Sequence, residues 1–174
     1  MNSIHKHIVS FALLLVCTAS NAQMRWNQSY QTYINQYKDL AIEQMLRYRI
    51  PASITLAQGL FESRAGQSDL ARQGNNHFGI KCHNWTGPTQ YHDDDARGEC
   101  FRVYQDAKQS YEDHSLFLAR QSRYSRLFNL SPTDYKGWAH GLKACGYATN
   151  PQYASKLIQI IELYKLNDYD KAKS

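Results

Sequence analysis

The helical rhythm of this sequence stops once, between His77 and Tyr104, and then resumes. On the N-terminal side Tyr30, Tyr33, Ile34, Tyr37, Leu40, Ala41, Met45 and Tyr48 recur at three- and four-residue spacing. That pattern predicts an amphipathic helix over 28–48 with its polar face outward. Pro51 opens a shorter, more apolar helix through Ile54, Ala57, Leu60 and Phe61, running to Arg64 and stopped by Gly66, and its apolarity predicts a central position. After the turn Gly74-Asn75-Asn76 the chain becomes rich in Gly, Asn, Asp and aromatics, with Gly87-Pro88 and Asp95-Ala96-Arg97-Gly98 as turn signals. Pro88 to Asp94 and Glu99 to Tyr104 therefore predict the strands of a small hairpin. Helices follow over 106–120, 124–129, 134–144 and 151–164. The last has Asn150 as N-cap, Pro151 at its first position, and Ala154, Leu157, Ile158 and Ile161 as its buried stripe. One hairpin between helical halves defines an α+β class, mainly α, in which a helical lobe and a small β-hairpin lobe flank a cleft. Such a cleft suits an extended polymer.

Residues 1–22 read as a secretory signal peptide: Lys6, then an apolar run from Phe11 to Cys17, then Ser20-Asn21-Ala22 as the cleavage site. The run is too short to span a bilayer, and Val16 stands where a lipoprotein needs a small residue before its cysteine. The expectation is an exported protein, periplasmic or extracellular, without stable membrane insertion. Of 174 residues, removing 22 leaves 152, the size of one domain over 23–174, expected as a monomer. The net charge of +5 falls to +4 with the loss of Lys6. Mild basicity suits an anionic partner outside the cell, and no nucleic-acid partner is expected. Thirteen tyrosines and three tryptophans supply core and, in excess of that, surfaces on which sugar rings stack.

Three cysteines remain after cleavage, Cys82, Cys100 and Cys145. Cys82 precedes the hairpin and Cys100 lies near the start of its second strand, so these two are expected to pair, leaving Cys145 as a buried free thiol. Catalysis by Cys145 with a histidine is the competing use of that thiol.

Glu62 stands near the C-terminal end of the central helix, within Gln58-Gly59-Leu60-Phe61-Glu62-Ser63-Arg64-Ala65-Gly66-Gln67-Ser68. The negative end of the helix dipole and apolar neighbours such as Phe61 both raise a carboxyl pKa there. A carboxyl kept protonated near neutral pH is what a glycosidic oxygen requires of a general acid. Gln58 lies one turn earlier on the same face, placed to touch substrate or to orient Glu62. The plainer reading of Glu62 is a solvated acid at a helix end.

The segment from Gln58 to Ser68 resembles the catalytic-glutamate motif of glycoside hydrolase family 73, the bacterial endo-β-N-acetylglucosaminidase domain of autolysins and of the flagellar rod-digesting enzyme. The likeness continues in order through Asn76-His77-Phe78-Gly79-Ile80-Lys81, Trp85-Thr86-Gly87-Pro88, Phe101-Arg102-Val103-Tyr104 and Gly146-Tyr147-Ala148-Thr149-Asn150-Pro151-Gln152-Tyr153-Ala154. The resemblance implies a lysozyme-like fold and cleavage of the β-1,4 bond between N-acetylglucosamine and N-acetylmuramic acid in peptidoglycan strands. Where the family has Gly-Trp after its Glu-Ser pair, this chain has Arg64-Ala65, a change among the local substrate contacts. The family's second carboxylate comes from the β lobe, and here Asp93, Asp94, Asp95 and Glu99 compete for that role. Strand alternation would put Asp93 and Asp95 on one face and Asp94 on the other. Asp95, nearest the turn, is the choice, with Asp93 next. Its task would be to activate water or steady an oxocarbenium-like transition state. Tyr147 is expected to hydrogen-bond substrate or the attacking water. Tyr153 and Gln58 are expected to contact substrate, and Phe78 and Trp85 to wall the cleft. His92 beside the three aspartates invites a metal, but consecutive strand residues point to opposite faces and do not converge, so neither metal nor cofactor is expected. Alternatives are a muramidase or lytic transglycosylase acting on the same polymer, and a non-catalytic glycan-binding protein.

Overall fold

The computed structural model describes residues 24–94 and 96–172. The signal-peptide reading of 1–22 and the assignment to Asp95 both lie outside the described residues. The elements are α1 (Gln28–Tyr48), α2 (Ala52–Glu62), α3 (Asp69–Gly74), β1 (Thr89–His92), β2 (Glu99–Arg102), α4 (Ala107–Arg120), a 3₁₀ segment (Ser122–Asn129), α5 (Tyr135–Ala144), α6 (Tyr153–Tyr164) and a second 3₁₀ segment (Leu166–Lys171). The class is α+β and mainly helical, with one antiparallel hairpin.

The apolar second helix takes the central position because almost nothing on it tolerates water. Every residue of α2 from Ala52 to Leu60 is buried. α1 lies along it, sinking Tyr33, Ile34, Ala41 and Met45 together with the fully buried Gln44, and turning most of its other polar residues outward. α4, α5 and α6 close the other sides with Tyr111, Leu118, Trp138, Leu142, Leu157 and Ile161. Gly59 is required by this packing, since a Cβ there would stand 2.6 Å from the Tyr33 hydroxyl and 3.1 Å from that of Tyr111. Those hydroxyls are 2.9 Å apart, and Tyr33 also bonds His77 Nδ1 at 3.0 Å. The tight spot is thus a hydrogen-bonded knot pressed onto the helix backbone.

Pro51 precedes α2 and offers no side-chain cap. The open donors of the first turn are met from far along the chain: Ser53 N and Ser53 Oγ donate to the Asp170 carboxylate at 2.8 and 2.6 Å. This clasp fixes the N-terminal end of α2.

The hairpin pairs Thr89 with Arg102, Gln90 with Phe101, Tyr91 with Cys100 and His92 with Glu99. It is shorter than the sequence predicts, because Asp93 leaves the ladder to accept the Gly98 amide at 2.7 Å and so shapes the turn. Cys82 and Cys100 are disulfide-bonded with Cα atoms 5.4 Å apart. Asn76, nearly fully buried, accepts the Ile80 amide at 3.0 Å and donates to the Ile80 and Arg102 carbonyls at 3.0 and 2.9 Å. Arg102 and the Tyr104 hydroxyl both reach Asp113 on α4, at 2.8 and 2.6 Å. Together these ties set the hairpin against the helical lobe.

Other boundaries shift as well. α6 begins at Tyr153, since Asn150 Oδ1 accepts the Gln152 amide in a turn that also contains Pro151 and so precedes the helix. Its buried face is Tyr153, Ala154, Leu157, Ile160 and Ile161, with Ile158 only partly covered. α3 was not expected: its six residues are too few to show a period, though Ser68 caps it by accepting the Ala71 amide at 3.2 Å. Cys145 is half-buried rather than buried. Among the described residues no helix is long and apolar enough to cross a membrane.

Candidate active site

Glu62 is the last residue of α2, and the chain turns sharply behind it. Arg64, Ala65 and Gly66 all have positive φ, at 52°, 57° and 77°. Two of these are not glycine, and each such residue costs about 1 kcal/mol or more in this conformation. The turn is held by the buried Ser63, whose hydroxyl donates to the Gly59 carbonyl and accepts the Gly66 amide, and by Ala65 N donating to Leu60 O and Ser68 N to Ser63 O, both within 2.9 Å. The reversal leaves the Glu62 carboxyl in a cleft of about 630 Å³ that α2, the hairpin and the 146–153 segment enclose.

Burial raises the Glu62 pKa from 4.5 to about 7, the Tyr153 hydrogen bond opposes that rise, and the negative charge of Asp94 adds to it. Tyr153 Oη donates to Glu62 Oε1 at 2.9 Å and accepts from Gln58 Nε2 at 3.0 Å. Gln58 is fully buried and reaches the carboxyl only through this relay. Its side chain is not among the cleft residues. Tyr153 is buried by Phe61, set edge-on at 6.0 Å, and by Tyr147, stacked at 5.7 Å. Burial first and the Glu62 charge second push both tyrosine hydroxyls well above their ordinary range, so both stay protonated.

Tyr147 is delivered by the end of α5. Gly146 turns at φ +74°, Tyr147 N donates back to Leu142 O at 3.0 Å, and Lys143 Nζ ties the carbonyls of Ala148 and Thr149 at 3.0 and 2.8 Å. Its ring lines the cleft, and its hydroxyl has no hydrogen-bond partner among the described residues. Phe78 also lines the cleft, stacked on the buried ring of His114 at 3.9 Å.

Trp85, expected in the cleft wall, stands apart from it. Its indole N–H donates to Pro88 O at 2.9 Å, and its ring meets Tyr104 edge-on under the Arg102 guanidinium, so it braces the hairpin. The acids of the hairpin also sort differently from the sequence reading. β1 ends at His92, so strand alternation has no hold on Asp93 and Asp94. Asp93 lines the cleft too, but its carboxylate accepts the Gly98 amide of the turn, and Glu99 pairs with Lys81 at 2.6 Å and accepts the Ala96 amide. Asp94, which alternation had pointed away, lines the cleft and acts on Glu62, and its carboxylate has no hydrogen-bond partner among the described residues. Arg123 is a cleft residue with no signal in the sequence pattern; its guanidinium lies over the Tyr124 and Phe117 rings at 4.7 and 5.8 Å. Cys145 is not among the cleft residues. Among the described residues no three His, Cys, Asp or Glu side chains gather as a metal site would require.

A carboxyl protonated near neutral pH, facing a carboxylate across an open cleft, is the equipment of a glycosidase. The family model described as mannosyl-glycoprotein endo-beta-N-acetylglucosaminidase, the glucosaminidase family, matches residues 38–166. The exo-glucosaminidase LytG of Bacillus subtilis is 35% identical over 136 residues, covering 72% of this chain and 48% of that protein. The peptidoglycan hydrolase FlgJ of Escherichia coli K12 is 33% identical over 129 residues, covering 67% and 41%. This chain spans less than half the length of those two relatives. Among solved structures, the catalytic domain of the autolysin Auto from Listeria monocytogenes superposes with a TM-score of 0.70 at 30% identity, covering 85% of this chain and 91% of that one. The chain belongs to the glucosaminidase family of glycoside hydrolases, family 73, and shares its lysozyme-like fold.

Proposed function

We propose that this protein hydrolyses the β-1,4 bond between N-acetylglucosamine and N-acetylmuramic acid in peptidoglycan, acting within the strand, with Glu62 as general acid. The observation that carries the reading is the Glu62 carboxyl, lifted to about 7 at the floor of the cleft. There a large fraction of the carboxyl still carries its proton at neutral pH and can deliver it to the leaving oxygen as the bond breaks. Tyr153 and, through it, Gln58 keep the carboxyl in one rotamer. Asp94 is the β-lobe partner we favour, placed to activate water or to steady positive charge on the sugar, with the adjoining Asp95 as the next choice. Tyr147, whose hydroxyl is protonated and unengaged, donates to substrate or to the attacking water.

Such a polymer lies outside the cytoplasm, which agrees with reading residues 1–22 as an export signal. The similarity to an exo-acting relative favours a second mode, removal of units from strand ends. Mass spectrometry of digested peptidoglycan separates the readings. Internal cleavage leaves oligomers of mixed length with reducing N-acetylglucosamine ends, whereas end-wise attack releases short units from the start. Muramic or anhydromuramic ends would transfer the activity to the other bond, and an absence of products would leave a binding protein.

A further inference from the structure

A second cavity, of about 270 Å³, opens on the far side of the left-handed turn that follows Glu62. It lies between that turn and the exposed face of α1, and Gln67 lines both it and the main cleft. The two spaces therefore meet at one side chain. The side groove presents the amides of Gln28, Gln36 and Gln67, the hydroxyl of Thr32 and the ring of Tyr37, with no charged residue in its lining. Amides and hydroxyls in a neutral groove match the alternating donors and acceptors of a peptide backbone. Arg64, which lines the main cleft and immediately precedes the groove-lining Ala65, is exposed and without a carboxylate partner among the described residues.

A linear glycan lying in the main cleft would have to kink across residues 64–67 to enter this groove, whereas a side branch leaves the strand there without bending it. On the reading of the substrate as peptidoglycan, we propose that the side groove and Arg64 form a subsite for the peptide branch of the muramic acid residue. Arg64 pairs with a carboxylate of that branch, and the groove takes its backbone. The substrate class is then glycan that still carries its peptides. Arginine in place of the family's glycine, held at a φ of 52°, is the specificity-determining residue.

The test compares kcat/KM on peptide-bearing glycan with kcat/KM on the same glycan after its lactyl amide bonds have been hydrolysed. Arg64→Gly suits the backbone conformation and removes the charge, so the turn stays folded. Its ratio of the two constants is expected to fall about tenfold, the worth of one charge-assisted hydrogen bond, while Arg64→Lys stays within about threefold of wild type. Thr32→Trp, which fills the groove from the surface of α1, lowers the ratio as well. A ratio unchanged in either Arg64→Gly or Thr32→Trp, whether because both substrates lose equally or because neither loses, overturns the subsite. Failure of the wild type to cut either preparation instead removes the peptidoglycan reading, and the subsite with it.

Discussion

The two walls of the cleft are built on opposite terms. On the helical side Glu62 ends a helix whose first nine residues are buried, and its carboxyl is held by a tyrosine that is itself 1% exposed. On the other side β1 is exposed at three of its four positions, and Tyr91 upon it is 72% exposed. One wall fixes a proton by excluding water, and the other offers a carboxylate that water still reaches. On the proposed mechanism the general acid depends on burial, which a helix in a core supplies, and the charge opposite it depends on approach to a sugar, which an exposed hairpin permits.

Replacement of the buried acid is the strongest way to break that contrast. Glu62→Gln is expected to lower kcat by at least roughly 10²–10⁴-fold with little change in glycan binding, since the amide keeps the shape and lacks the transferable proton. The same variant should gain stability at alkaline pH. Because the folded-state pKa of about 7 lies above the ordinary 4.5, the contribution of Glu62 is fully present below pH 4.5 and is lost as pH rises through 7. The Tm of Glu62→Gln should therefore exceed that of wild type at pH 8 by more than at pH 5. A melting difference of the opposite sign would mean the carboxyl is not desolvated.

Opening the disulfide tests how far the hairpin wall stands by itself. Cys82→Ser with Cys100→Ser should cost about 3 kcal/mol in urea unfolding, from the freedom restored to the unfolded chain. Residual activity in the folded fraction would show that Asn76 and the Asp113 contacts carry the lobe without it. A smaller effect is expected at the exposed acid: Asp94→Asn lowers kcat by about 10–10²-fold, more than it raises KM, since one partly solvated charge acts mainly in the transition state. A larger loss in Asp95→Asn than in Asp94→Asn would pass the role to Asp95. The smallest effect is a displacement of the pH profile. Activity should fall as pH rises through about 7, where Glu62 loses its proton. Asp94→Asn removes a raising influence and moves that limb to lower pH, whereas Tyr153→Phe removes a lowering one and moves it to higher pH. Shifts in the same direction for both variants would detach the limb from Glu62.

The helices could be read from the sequence because their burial is periodic: α1 and α2 appear in the spacing of Tyr33, Ile34, Ala41 and Met45 and of Ile54, Ala57 and Leu60. The position of Glu62 was legible for the same reason, since a place at the end of an apolar helix is a local fact. What the sequence could not show was set by distance or by backbone sign. Nothing in the chain marks Arg64 and Ala65 as left-handed, for both residues are ordinary in right-handed structure. Asp94 was turned away by an alternation rule whose strand had already ended at His92. Trp85, expected in the cleft wall, is instead outside the cleft lining with its indole tied to Pro88, a contact its neighbours in sequence do not announce. Asp170 acts on a helix it does not border in sequence, so no window over the chain could have joined it to α2, and Arg123 enters the cleft with nothing in its local pattern to mark it.

The clasp between Ser53 and Asp170 joins residues 117 apart in sequence. A chain made from its N-terminus forms the helix bearing Glu62 long before it has the carboxylate that anchors that helix. Closing so distant a contact is slow relative to local helix formation, so it belongs to the late steps of folding. Completion of the fold is thereby tied to the site: until residue 170 is in place, the helix that carries Glu62 lacks the anchor at its N-terminal end.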